Sequence, residues 1–70
     1  MSEYVVIYEE SDDGGWGAYL PDLPGIVALG ATRVEVAERI KEALSAYRAD
    51  LDERGQTLPT PHHVAGTVAA

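Results

Sequence analysis

Apolar positions in this chain fall into two rhythms, a short-period one up to residue 29 and a helical one after residue 32. Residues 4–8 (Tyr-Val-Val-Ile-Tyr) are a run of β-branched and aromatic side chains closed by Glu9 and Glu10, the composition of a strand. Residues 11–15 bring together Ser11, Asp12, Asp13, Gly14 and Gly15, where the glycines supply positive φ and the acids bond local backbone. That is a hairpin loop, and residues 16–20 form the returning strand. Pro21 and Pro24 have no ladder donor to give, so residues 21–25 form a corner before a third strand over residues 26–29.

Thr32, followed three residues later by Glu35, has the spacing of a capping box and predicts a helix over residues 33–54. Ala37, Ile40, Leu44, Tyr47 and Leu51 recur every three or four residues as one apolar stripe. On the wet side Glu35 with Arg39, Arg48 with Asp52 and Asp50 with Arg54 stand at ion-pair spacing. Gly55 closes the helix, Pro59 and Pro61 prevent a restart, and residues 63–68 are assigned as a fourth strand. The expected fold is α+β: a small antiparallel sheet with one helix on one face, in the order β-β-β-α-β. With 70 residues it is one domain with a thin core.

Alternation along the first strand puts Val5 and Ile7 on one side of the sheet and Tyr4, Val6 and Tyr8 on the other. One helix covers one face, and the second face needs a cover of its own. Tyr4, Val6 and Tyr8 are the candidate apolar face for self-association, with Trp16 or Tyr19 joining it, and a homo-oligomer, dimer or tetramer, is expected. The alternative cover is the chain's own segment 58–68.

Charge sharpens this picture. The net charge is −7, and residues 1–32 carry six acids and no Lys or Arg. Such a surface repels nucleic acid and attracts a basic protein, although acids also serve plain solubility. Catalytic patterns are missing. Glu9-Glu10 and Asp12-Asp13 diverge as neighbours, His62 and His63 have no third ligand at zinc-like spacing, and the glycines near residue 15 lead into a strand where a phosphate loop opens a helix. No cysteine is present, and neither Ser11 nor Ser45 has a histidine and acid pattern around it. The reading is a non-enzymatic protein with no cofactor, no metal and no small-molecule substrate, placed in the cytoplasm because no apolar run reaches membrane length.

The strand at 4–8, the turn Asp12-Asp13-Gly14-Gly15-Trp16, the corner Pro21-Asp22-Leu23-Pro24-Gly25 and the helix opening Gly30-Ala31-Thr32-Arg33-Val34-Glu35 resemble the HicB family of antitoxins. Arg39-Ile40-Lys41-Glu42-Ala43-Leu44 and the post-helix Leu58-Pro59-Thr60-Pro61 extend the likeness. The resemblance implies a partial RNase H-like fold without nuclease activity, and a partner of the HicA type, a small basic toxin that cleaves mRNA. Asp12, Asp13, Trp16, Tyr19 and Asp22 are the candidate partner contacts. Many family members carry a C-terminal DNA-binding segment that this sequence does not show, so direct DNA binding is not expected. The alternative function is an interaction or oligomerisation module with no toxin partner.

Overall fold

The computed structural model describes residues 3–70. Strands β1 (Ile7–Glu10), β2 (Trp16–Tyr19) and β3 (Val27–Gly30) form an antiparallel meander in the order β1-β2-β3, and helix α1 (Arg33–Glu53) crosses one face. The fold is therefore α+β, as the sequence implies. Local chemistry explains each join. In the hairpin, Ser11 N–H donates to Gly15 O at 2.8 Å and Gly14 takes φ 88°. At the corner, Leu23 N–H donates to Leu20 O, Ile26 N–H donates to Leu23 O, and Gly25 takes φ 97°. Leu20, Leu23 and Ile26 turn inward there and are buried.

Thr32 caps α1, its Oγ1 accepting from Glu35 N–H at 3.1 Å. Glu35 turns away from the cap and pairs with Arg39 at 2.9 Å, so only half of the expected capping box forms. Asp50 pairs with Arg54 as the spacing predicts. At the far end Gly55 N–H bonds Asp52 O and Gln56 N–H bonds Leu51 O, with Gly55 at φ 70°, a Schellman closure. The buried helix positions are Val36, Ile40 and Leu51, with Ala43 and Leu44 packed beside them. Tyr47, assigned to the stripe, is exposed.

The register Tyr8↔Ala18↔Ala28 decides which face the helix takes. Ala18, Ala28 and Gly30 share that side, and small side chains let a helix approach closely. A Cβ on Gly30 would lie 2.9 Å from Glu35 Oε1 and 3.0 Å from Val36 Cγ2, so the helix start rests directly on the end of β3. Tyr4, Val6, Tyr8 and Trp16 lie on this same side and pack against the core. The proposed self-association face Tyr4, Val6 and Tyr8 is thus the helix-covered one, a correction forced by the small residues opposite them. Ile7, Tyr19, Val27 and Leu29 occupy the other side.

The expected fourth strand is absent among the described residues, because residues 56–70 pair with no strand. The segment after the helix is held from the side. Leu58 packs on the core, the Tyr4 hydroxyl donates to Pro59 O, and residues 62 and 63 bind the β2–β3 corner. Pro59 and Pro61 supply no N–H for a ladder, and beyond them Val64 and Val68 lie in solvent.

Candidate functional site

The side of the sheet opposite the helix is uncovered. Alternation places Ile7 and Glu9 of β1, Gly17 and Tyr19 of β2, and Val27 and Leu29 of β3 on it. Val27 is 64% exposed, Leu29 74% and Tyr19 40%, which is unusual for neighbouring apolar side chains in one sheet. The tail does not fold over them. Gly17 forms the floor of a shallow apolar depression between Glu9 and Leu29, bounded by Tyr19 and Val27. Leu29 leans across the floor, since a Cβ on Gly17 would lie 3.1 Å from Leu29 Cδ2.

The acids of the hairpin stand at one end of this face. Asp12 is exposed at the turn. Asp13 folds back, accepting from the Ser11 hydroxyl and from Gly15 N–H at 3.0 Å. Those two hydrogen bonds, the hydroxyl first, hold its carboxyl below the usual carboxylate range. Asp13 therefore stays ionised while it stiffens the loop. All five Lys and Arg residues lie at or beyond Arg33, on α1 or just past its end, so the open face and hairpin form an acidic half with no basic side chain of their own.

Two candidate contacts have other work. Trp16 lies on the helix side and packs against the core. Asp22 is sealed, with its side chain 3% exposed, by residues 40 and 41 positions further along. His62 N–H donates to Oδ1 at 3.0 Å, His63 N–H to Oδ2 at 3.2 Å, and the His63 ring pairs through Nδ1 with Oδ1 at 2.7 Å. An ionised carboxylate accepts only, so Nδ1 is the protonated nitrogen here. Desolvation in the corner opposes the charge, but the His63 ring and the two backbone donors outweigh it, and the carboxyl is held below its ordinary value.

This clasp has a pH signature. A depressed folded pKa stabilises at every pH above the unfolded value, 3.8, and that contribution disappears as pH falls through the lowered folded value. Protection of the amides of residues 62 and 63, their exchange relative to the intrinsic rate at each pH, is expected to hold from neutral pH down to 3.8 and to be lost only in acid below that range. Asp22→Ala is expected to lose this protection already at neutral pH while Leu20 and Val36 remain protected. Unchanged exchange in that variant would show that the tail is held by something else.

Of the five contact candidates, Tyr19 stands on the open face, Asp12 and Asp13 stand in the exposed hairpin, Trp16 packs half-buried on the helix side, and Asp22 is taken up by the clasp. Sequence reasoning passed over Glu9, Val27 and Leu29. The signal was available in the period of two through residues 26–29, which sets Val27 and Leu29 on the side opposite Ala28. Among the described residues no group of three metal-ligating side chains converges, and no helix is long and apolar enough to cross a membrane.

Residues 4–70 match the sequence profile of the family described as HicB_like antitoxin of bacterial toxin-antitoxin system. The chain belongs to the HicB-like antitoxin family. A UPF0150 protein of Thermoplasma acidophilum is 34% identical over 68 residues, covering 97% of this chain and 99% of its own length. A UPF0150 protein of a Synechocystis strain is 36% identical over 56 residues, covering 80% of this HicB-like chain and 71% of its own. The crystal structure of the N-terminal domain of Burkholderia pseudomallei antitoxin HicB superposes with a TM-score of 0.68 at 23% identity, over 93% of this chain and 69% of that one. That likeness concerns the fold, three antiparallel strands with one helix.

Proposed function

We propose that this HicB-like protein is a non-enzymatic antitoxin that binds a small basic toxin of the HicA type and covers the surface with which that toxin engages or cleaves mRNA. The observation that carries the reading is the exposed apolar set Tyr19, Val27 and Leu29 on a sheet that, with its hairpin, supplies the acids Glu9, Glu10, Asp12 and Asp13 and no Lys or Arg of its own. A protein that grips RNA presents cations to phosphates, and an acidic surface complements it while steering the encounter. Apolar contact then supplies the lasting part of the affinity, with Tyr19 the aromatic anchor of the patch. Glu9 lines the edge of that patch, Asp12 adds charge in the hairpin, and Asp13 fixes the loop that presents Asp12. The same charge disfavours direct binding to DNA or RNA, and the site of action is the cytoplasm, where the toxin meets mRNA.

The test is co-expression with a small basic toxin of this type encoded beside the gene. The expected outcome is restored growth and a complex that co-purifies at low salt and associates more slowly as salt rises, because exposed charges are screened over about 10 Å at 0.1 M. Persistent toxicity with no co-purification would overturn the proposal.

A further inference from the structure

Two rows of residues cross the open face. Glu9, Gly17 and Leu29 stand in line across the strands, and beside them stand Ile7, Tyr19 and Val27. Every position of both rows carries a side chain except Gly17, at the middle of the central strand, so the first row has a socket one residue wide. Backbone conformation does not call for this glycine, since positive φ belongs to Gly14, Gly25 and Gly55 among the described residues, and the pairing runs through it without a bulge. Glycine inside a strand weakens it, and where neither bend nor bulge explains it, it marks a place that something approaches closely. Within the chain, what approaches is the tip of the exposed Leu29 side chain, 3.1 Å from where a Cβ would stand, and the Ala28 carbonyl at 3.6 Å.

The depression over Gly17 measures about 240 Å³. That is below the range of about 300–1,000 Å³ usual for small-molecule sites, and it suits one long side chain. Its two ends differ chemically. Leu29 and Val27 make one end apolar, and Glu9 places a carboxylate at the other, two strand spacings or about 9–10 Å away. Glu9 is exposed and has no ion-pair partner among the described residues. Arg39, which reaches Leu29 O from the helix, is paired with Glu35 and does not line the depression.

The geometry points to one occupant, an arginine side chain presented by the basic partner; the bearer of that arginine, though not the socket, rests on the antitoxin reading. Its aliphatic stem lies over Gly17 against Leu29 and Val27, and its guanidinium forms a charge-assisted pair with Glu9 beside the Tyr19 ring. Leu29 thus meets the stem and not the charge. An apolar occupant would bury the Glu9 carboxylate without a partner, and an acidic one would be repelled. Lysine answers Glu9 less well in this setting, because its ammonium is more strongly hydrated and has no flat face to lay on a ring. The chain builds the same contact within itself on the other side of the sheet, where the Arg33 guanidinium stands 4.8 Å from the centre of the Tyr8 ring.

Amide spectra of the full chain, titrated with a capped Gly-Arg-Gly peptide, test the socket without the toxin. The peptide is expected to shift Gly17, Tyr19 and Leu29 saturably. It binds about threefold more tightly than its lysine counterpart and about tenfold more tightly than its citrulline counterpart, which keeps the shape without the charge. Glu9→Gln weakens it about tenfold, whereas Glu38→Gln, which removes an exposed acid from the helix, stays within about twofold. Gly17→Val fills the floor, displaces the movable Leu29 tip and abolishes binding. Thermal melts accompany each variant, and if Gly17→Val fails to fold, Glu9→Gln against Glu38→Gln decides. Equal binding of the arginine and citrulline peptides, shifts remote from Gly17, equal effects of Glu9→Gln and Glu38→Gln, or a folded Gly17→Val chain that binds the toxin at full strength would each overturn the inference and leave the antitoxin reading standing. Arginine binding at Gly17 together with failed growth rescue would uphold the socket and overturn the antitoxin reading instead.

Discussion

Leu20→Ala is expected to leave the protein largely unfolded at temperatures where the wild type is folded. Leu20 is 2% exposed and sits where β2 enters the corner, in contact with the cluster of Leu23, Ile26, Val36 and Ile40. Removing a leucine side chain from such a place costs about 2–5 kcal/mol, transfer and cavity together. A chain of 70 residues has about 4–10 kcal/mol in total. The loss is therefore a large share of the stability, and with about 4–8 °C per kcal/mol in small domains the melting midpoint falls by some tens of degrees. Leu29→Ala makes the same chemical change at a 74% exposed site and is expected to move the midpoint by about one degree or less. Circular dichroism melts of the two variants compare them directly. Equal shifts would mean that burial, as described, does not govern their contributions.

Leu29→Glu is expected to reverse the pattern, sparing the fold and disabling the proposed recognition of a toxin. The side chain projects into solvent beside Val27 and Tyr19, so the monomer loses little when it changes. In the proposed complex with a basic toxin, the new carboxylate would sit in the middle of the apolar contact and have to be desolvated there. Truncating or charging a central contact of this kind costs about 2 kcal/mol or more, a weakening of about thirtyfold or greater. Titration calorimetry with the toxin measures it, and loss of growth rescue is the cellular counterpart. Tyr47→Glu, an exposed change on the helix side, is the matched control and is expected to bind as the wild type does. Full affinity in Leu29→Glu would remove the open face from the toxin interface.

The elements with local causes were legible in the sequence. Gly14, Gly25 and Gly55 take positive φ where the turn, the corner and the helix end require it, and Thr32 caps the helix that its spacing from Glu35 announces. What failed depended on distant parts of the chain. Period-two alternation sorts Tyr4, Val6 and Tyr8 from Val5 and Ile7, but says nothing about which set meets the helix. Ala18, Ala28 and Gly30 settle that by admitting the helix to their side, and they become partners of Tyr8 only through the register. Val36, fully buried at the helix start, was missed for the same reason, since its burial comes from the end of β3. Asp22 stands in a proline corner that looks like an exposed turn, and only residues 62 and 63 reveal it as a fastening for the tail. A fourth strand was read from composition near Val64, where the chain had already been tied elsewhere.

Arg39 has a consequence beyond its own hydrogen bond. A sheet with two adhesive margins adds subunits without limit and grows into fibres, the hazard every small β protein faces. With the Leu29 carbonyl occupied by the Arg39 guanidinium, strand addition at that margin is discouraged. One arginine thus guards the outer strand against runaway stacking.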